Sequence, residues 1–248
     1  MELSNHWTMP GARMKISVVI PVYNEEDNVL PLAEEFGPVA AAFPGLEVIF
    51  VDDGSADATA ARIAEAARRW PYVRGLGARR NAGQSAATLA GLRAAAGDVL
   101  VTLDGDGQNN PADIPRLVEK LSEADVVCGY RAKRRDSWSR RAGSRIGNGV
   151  RNRFTRDGVR DTGCSLKAFR RACLDDLPPV NGVHRFMPAY FRLHGRRIVE
   201  LPVDHRPRTR GRSKYTNLRR LPRTLFDLVG FCWYRRRLLR PAELDPVK

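Results

Sequence analysis

The chain has 248 residues, of which 43% are hydrophobic and 28% are charged, and this composition excludes a disordered chain. Residues 1–130 hold 11 basic and 18 acidic side chains, whereas residues 131–248 hold 31 basic and 10 acidic ones, which predicts an anionic partner for the second half. The four cysteines are scattered without a CxxC pair, so neither a zinc site nor a disulfide framework is expected.

Neither end of the chain is expected to enter a membrane core. The first 13 residues contain no apolar segment of the kind found in signal peptides, so we expect a disordered leader, and Met14 is an alternative start. Leu225–Tyr234, the longest apolar stretch near the C-terminus, is well short of the ~20 residues that a spanning helix needs. We predict a leader over 1–13, one α/β domain over 14–215, and an amphipathic helix with a tail over 216–248.

Strands and helices alternate through the first half. Continuous apolar runs, typical of strands buried on both faces, occur at Lys15–Val22 and Leu46–Val51. Further strands are predicted over 73–78, 99–103 and 125–129, and helices over 24–42, from about 55 to 70, 82–96 and 111–123. Ser55 and Asp57 are the candidate N-caps of the second helix. The alternation predicts an α/β fold, with a mostly parallel sheet between two layers of helices.

The second half follows a different pattern. Apolar residues recur every four positions from Trp138 to Phe154 between basic residues, which indicates a cationic amphipathic helix. Ile198–Val203 is a predicted strand, and His205–Tyr215 is a predicted cationic loop. A second amphipathic helix is predicted over Leu218–Leu239. The apolar residues expected on one side of it are Leu218, Leu221, Leu225, Leu228, Val229 and Cys232.

Polar residues follow three of the predicted strands. The strand ends read PVYNEE over 21–26, DDGS over 52–55 and DGDGQ over 104–108. Because ligands of parallel α/β sheets bind beyond the carboxyl ends of the strands, at least five carboxylates should meet at one edge. Oxygen ligands without histidine or thiolate select a hard ion such as Mg²⁺ or Mn²⁺, which would leave positions open for diphosphate oxygens.

Five segments, taken in order, resemble the signature segments of a known family. PVYNEEDNV, VDDGSADAT, ARRNAGQSAA, LDGDGQNNP and RTRGRSKY are similar to segments of the inverting family-2 glycosyltransferases, which have the GT-A fold. DTGCSLKAFRR and GVHRFMPAYF also resemble the polyprenyl-phosphate branch, which includes dolichol-phosphate mannosyltransferases. The resemblance extends over about residues 16–234. It departs from that branch at Gly107 and Asn109, within a segment that is DADLQHP-like in the branch.

The resemblance implies roles for individual residues. The catalytic residues would be Asp106, Arg131, Arg212 and Lys214. The nucleotide sugar would be bound by Pro21, Tyr23, Asn24, Glu25, Val51, Asp52, Asp53, Asp104, Gly105, Arg208 and Ser213. The Mg²⁺ or Mn²⁺ ion would be bound by Asp104, Asp106 and Gln108. A mobile loop containing Arg208, Arg212, Ser213 and Lys214 would close over the diphosphate and the acceptor phosphate.

The implied activity is sugar transfer from a GDP- or UDP-linked donor to a polyprenyl phosphate, either undecaprenyl or dolichyl. An ionised phosphate acceptor needs no general base, although Asp161 and Asp204 are candidates for one. A saccharide acceptor in cell-surface polysaccharide synthesis is the alternative, but the chain lacks the QxxRW segment of processive members. Nucleic-acid binding is a third reading of the basic half, against which the acidic edge argues, since it would repel a polyanion.

The acceptor's lipid tail places the expected site of action at a membrane. We expect a peripheral protein on the cytoplasmic face, with the two amphipathic stretches and Arg235–Arg237 on anionic lipid. A membrane partner subunit is the other means of attachment. The four histidines are expected to be structural or solvated, and Trp70 and Trp233 are expected to serve packing. Cys164 is not expected to be a nucleophile, because no matched histidine or acid flanks it.

Overall fold

The structure is a computed structural model that describes residues 14–132, 149, 151–208 and 217–239. The strands of its sheet are β1 (Ile16–Val22), β2 (Glu47–Asp52), β3 (Val73–Gly77), β4 (Val99–Thr102), β5 (Val126–Arg131), β6 (Lys167–Arg170) and β7 (Ile198–Val203). The helices are α1 (Glu26–Glu35), α2 (Gly37–Ala42), α3 (Thr59–Arg69), α4 (Gln84–Ala94), α5 (Ile114–Lys120), α6 (Val183–Leu193) and α7 (Asn217–Arg237). Residues 151–155 are also helical, and short 3₁₀ turns occupy Pro111–Asp113 and Arg171–Asp176.

The seven strands form one sheet in the order β3-β2-β1-β4-β6-β5-β7. β6 is antiparallel to both of its neighbours, and the other pairs are parallel. The chain winds from β1 outward to β3 and then crosses to β4 on the other side of β1. Such a reversal opens a crevice at the carboxyl ends of the two strands, which is where ligands of this class of sheet bind.

Helices cover both faces of the sheet. Alternate residues of β1 show this directly, since Val18 and Ile20 pack with α1, α3 and α5, whereas Val19 packs with α4 and α6. These strand residues are fully buried, and burial of one such side chain contributes about 1.5–3 kcal/mol. The predicted three-layer α/β/α sandwich with a mostly parallel sheet is therefore confirmed.

Two details of the predicted helices are wrong. The single helix over 24–42 is divided into α1 and α2, because Pro38 has no N–H to donate to the carbonyl of Glu34. Ser55 is not an N-cap, since its hydroxyl and its backbone N–H both donate to Asp52. The N-cap position of α3 is Ala58, and Asp57 just before it accepts the Thr59 N–H over 3.0 Å.

The predicted apolar side of α7 is right for Leu228 and Cys232, which pack on the core, and wrong for Leu225 and Val229. Leu228 and Phe231 are buried against α6, but Leu225 and Val229 are exposed. Phe231 stacks on Phe186 and meets the edge of Tyr190, and these aromatic contacts fix the rotation of the helix. The first predicted amphipathic stretch lies mostly outside the described residues, as does the leader. No helix in the described part of the chain is long and apolar enough to cross a membrane.

Candidate active site

A cavity of about 460 Å³ opens at the carboxyl ends of β1 and β4. Its walls contain ten of the residues that the sequence places in the site. They are Pro21, Tyr23, Glu25, Asp53, Asp104, Gly105, Asp106, Gln108, Arg131 and Arg208. Gly105 allows the turn after β4 to lie against β1, because a Cβ at this position would be 2.4 Å from Val22 Cγ1.

Other predicted site residues do not line this cavity. Asn24 has a left-handed backbone, with φ of 49°, and its side-chain oxygen accepts the Ala56 N–H. Val51 is buried in the core, and the Asp52 carboxylate accepts hydrogen bonds from Ser55. These three residues support the walls in this structure. Arg212, Ser213 and Lys214 lie outside the described residues, so their predicted roles stay predictions.

Asp53 fixes the turn that precedes α4. Its carboxylate accepts the N–H groups of Ala82 and Gly83, each over 2.8 Å, and the side-chain amide of Asn81 over 3.0 Å. Asn81, Gly83 and Gln84 consequently form part of the cavity wall. Asn81 and Gly83 belong to the ARRNAGQSAA segment of the family resemblance, and the structure places this segment at the cavity.

The two aspartates after β4 both have raised pKa values. Burial, followed by the charge of Asp106, raises the pKa of Asp104 to about 6, against the opposing effects of Ser165, Lys167 and Arg131. Burial also raises the pKa of Asp106, although the Gln108 N–H, Arg208 and His205 act to lower it. The raised pKa values indicate negative charge that the surrounding protein does not fully compensate.

The residues expected to bind a metal fit a hard divalent ion. Asp104, Asp106 and Gln108 offer only oxygen ligands, and all three side chains line the same cavity. In the described residues no group of three or more His, Cys, Asp or Glu side chains is arranged to hold a metal. A metal at Asp104 and Asp106 would therefore need oxygens from Gln108 and from a bound diphosphate.

Arg131 faces the aspartates from another wall of the cavity. Its Nε and Nη2 donate to the two carboxylate oxygens of Asp161 over 2.7 and 2.8 Å, and its backbone N–H also donates to Asp161. This two-pronged contact fixes the plane of the guanidinium group. Gly163 lies beside it, since a Cβ there would be 2.8 Å from Arg131 Nη2.

The segment after β7 crosses the edge of the sheet above the 104–109 loop. His205 forms an isolated antiparallel bridge with Asn109, and the Arg206 N–H donates to the Gln108 carbonyl over 2.9 Å. Arg208 then reaches Glu25, donating to both carboxylate oxygens over 2.6 and 2.7 Å. This segment therefore joins β7 to the end of β1 and brings a cation next to Asp106.

Several wall residues were not among the individual site residues that the sequence implied. They are Val22, Asn81, Gly83, Gln84, Asn109, Gly163, Cys164, Ser165 and His205. His205 was expected to be structural or solvated, and its place in the wall could be inferred only from the basic segment that follows it. Burial raises the pKa of the Cys164 thiol, which agrees with the expectation that Cys164 is not a nucleophile.

Comparison with known proteins identifies relatives of this sequence. A family model described as "Glycosyl transferase family 2" matches residues 17–177. The chain is 41% identical over 221 residues to an undecaprenyl-phosphate 4-deoxy-4-formamido-L-arabinose transferase of Edwardsiella ictaluri, covering 86% of this chain. It is 40% identical over 218 residues to the transferase of the same name from Klebsiella pneumoniae, covering 87% of this chain. The alignments span 66% of the length of each relative.

Solved structures share the fold. Glucosyl-3-phosphoglycerate synthase of Mycobacterium tuberculosis, in complex with Mn²⁺, UDP and glucosyl-3-phosphoglycerate, superposes with a TM-score of 0.69 at 21% identity, covering 92% of this chain and 86% of that one. The same enzyme with Mg²⁺ and UDP gives a TM-score of 0.67, also at 21% identity, over 90% of this chain and 79% of that one. The likeness confirms the expected GT-A fold.

Proposed function

The chain belongs to glycosyl transferase family 2, and we propose that it transfers a sugar from a nucleotide diphosphate to a polyprenyl phosphate. The observation that carries this proposal is a single cavity whose wall contains the carboxylates of Asp104 and Asp106 together with the guanidinium groups of Arg131 and Arg208. Such a site suits two phosphate-bearing substrates with a divalent ion between them. The two relatives named for an undecaprenyl-phosphate acceptor support it.

The donor is a GDP- or UDP-linked sugar in this proposal. Pro21, Tyr23 and Asp53 would hold its base and ribose, since they line the part of the cavity next to β1 and β2. Asp104, Asp106 and Gln108 would hold Mg²⁺ or Mn²⁺, which when bound would neutralise charge on the departing diphosphate. The lysine and arginines of the 209–216 segment would add to this charge stabilisation.

The acceptor is proposed to be a phosphate because neither candidate base is suitably placed. The Asp161 carboxylate accepts hydrogen bonds from Arg131 at both of its oxygens, so it is already engaged and is poorly placed to take a proton from an acceptor. Asp204 is not among the residues of the cavity wall. A phosphate is already ionised near neutral pH and needs only positioning, for which Arg131 is suited.

The chain is proposed to work as a peripheral protein on the cytoplasmic face of a membrane, because the acceptor's tail remains in the bilayer. α7 presents an apolar surface made of Leu225, Phe226, Val229 and Trp233, of which Phe226 is 79% and Trp233 64% exposed. Arg236 and Arg237 follow at the end of the helix and are also exposed. An apolar surface bordered by arginine suits the interface of an anionic bilayer.

Transfer to lipid is tested with the purified protein, MnCl₂, undecaprenyl phosphate in detergent and a panel of radiolabelled UDP- and GDP-sugars. We expect label to enter the organic phase with one donor of the panel and to require the divalent ion. Label that appears only on added soluble saccharides would favour the saccharide-acceptor alternative and would contradict the proposal.

Membrane docking is tested by co-sedimentation with vesicles that contain anionic lipid. Binding should weaken with salt and should fall when Phe226 and Trp233 are both changed to serine, or when Arg236 and Arg237 are. Arg235 is a poorer choice for this test, because it donates to the Phe154 carbonyl over 2.8 Å. Absence of binding to anionic vesicles at low salt would refute direct docking and would favour a partner subunit.

A further inference from the structure

Ser165 lies in the cavity wall, where the end of β4, the 104–109 loop and the start of β6 come together. It precedes β6, which lies between β4 and β5, and it lines the cavity. Its carbonyl oxygen accepts a hydrogen bond from Thr102 Oγ1, at the end of β4, over 2.7 Å. This bond fixes the backbone at Ser165 to the end of β4, the strand that Asp104 follows.

The Ser165 hydroxyl oxygen is shared by the two ends of the 104–109 loop. It accepts the Asp104 backbone N–H over 3.0 Å and the side-chain amide of Asn109 over 2.8 Å. The hydroxyl also lowers the pKa of the Asp104 carboxyl, which opposes the effect of burial. Since a hydroxyl oxygen has two lone pairs, these two accepted hydrogen bonds use both of them.

We propose that Ser165 is a positioning residue for the metal site, which fixes both the Asp104 carboxylate and the loop that carries Asp106 and Gln108. This inference rests on the proposed function, because it assumes that these three side chains bind a divalent ion. Gln84 supplies a further restraint, since its Nε2 donates to Asp104 Oδ1 over 2.9 Å. Groups that orient a metal ligand typically change metal affinity by about 10–100-fold when they are removed.

Three substitutions of Ser165 distinguish the role of its hydroxyl from that of its size. Ser165→Ala would remove the acceptor of the Asp104 N–H and of the Asn109 amide, and Asn109 is a buried residue. Ser165→Thr keeps the hydroxyl and should restore the function. Ser165→Cys keeps the approximate size of the side chain but has only a weak donor and acceptor.

The test measures Mn²⁺ binding in the presence of inorganic pyrophosphate, by electron paramagnetic resonance of the free ion. Pyrophosphate stands for the diphosphate of the donor and makes the test independent of the base. Ser165→Ala should bind Mn²⁺ about tenfold or more weakly than the wild type, whereas Ser165→Thr should remain within about threefold. The control is Ser122→Ala, since the Ser122 hydroxyl donates only to the Glu119 carbonyl.

The melting temperature distinguishes positioning from general support of the fold. A positioning role predicts a loss of Mn²⁺ affinity in a variant that still folds cooperatively, with only the modest fall in melting temperature that two lost hydrogen-bond acceptors cause. Equal Mn²⁺ affinity in the wild type and Ser165→Ala would overturn the role of Ser165 alone. No Mn²⁺ binding by the wild type would overturn the proposed metal site as well. If Ser165→Ala does not fold, Ser165→Cys takes its place with the same expected loss, and unchanged affinity there would be equally decisive.

Discussion

The rotation of α7 decides which of its apolar residues are available to a membrane, and a pair of alanine substitutions tests it. Phe231 is 1% exposed, with its ring centroid 5.9 Å from that of Phe186 and 5.2 Å from that of Tyr190. Trp233 lies two residues further along the same helix and is 64% exposed. Phe231→Ala should therefore leave a cavity between α6 and α7, whereas Trp233→Ala should remove only exposed surface.

The expected losses of stability differ by several kilocalories. Truncation of a buried phenylalanine typically costs about 3–5 kcal/mol, to which lost aromatic pairs contribute about 0.5–1.5 kcal/mol each. We take the lower end, about 3 kcal/mol, because detachment of α7 would limit the loss to the free energy of its docking. An exposed substitution is usually within about 0.5 kcal/mol of the wild type.

Urea denaturation followed by circular dichroism measures both variants under the same conditions. The free energy of unfolding should fall by about 3 kcal/mol for Phe231→Ala and change little for Trp233→Ala. Losses of similar size in the two variants would refute the described rotation of α7. The membrane-facing surface made of Leu225, Phe226, Val229 and Trp233 would then have to be reassigned.

Three further predictions concern the cavity. Asp106→Asn keeps the shape of the side chain but removes a charge, so turnover should fall about a hundredfold with an unchanged melting temperature; full activity would contradict its role. Asp161→Asn should weaken the restraint on Arg131 and lower kcat/KM about a hundredfold, whereas the exposed control Asp175→Asn should not. Protons compete with the metal for Asp104, so Mn²⁺ affinity should fall as the pH drops below about 6 and should change little above about 7.

The central strands could be predicted to within a residue or two because their residues are apolar on both faces. β1 and β2 are continuous runs of this kind, and no other local structure buries such a run as well. β6 was not predicted, because its four residues begin with Lys167 and end with Arg170. Lys167 is buried in this strand and donates to the Cys164 carbonyl, a contact that local sequence does not reveal.

The candidate site was predictable only where its residues directly follow a strand. Asp53, Asp104 and Asp106 do so, and all three lie in the cavity wall. Ser165 and His205 reach the same wall from distant parts of the chain, through the antiparallel pairing of β6 with β4 and the bridge between Asn109 and His205. Such long-range pairings have no signature in the local sequence.

The prediction of the buried face of α7 was partly wrong for a related reason. Periodicity grouped Leu225 and Val229 with Leu228, since an apolar stripe of that width fits a helix packed on a core. The structure instead buries Phe231 among the aromatic residues of α6 and turns Leu225 and Val229 outward. The pattern identifies an amphipathic helix, but its partners determine which apolar residues are covered.

The most direct test of the proposed activity is mass spectrometry of the products formed from undecaprenyl phosphate and the best donor of the nucleotide-sugar panel. The proposed activity predicts a lipid whose mass equals that of undecaprenyl phosphate with one sugar residue added, together with one released nucleoside diphosphate per lipid. Loss of this product in Asp106→Asn would tie it to the cavity. Nucleoside diphosphate release without a sugar-bearing lipid, or a sugar-bearing lipid formed equally well by Asp106→Asn, would contradict the proposed activity.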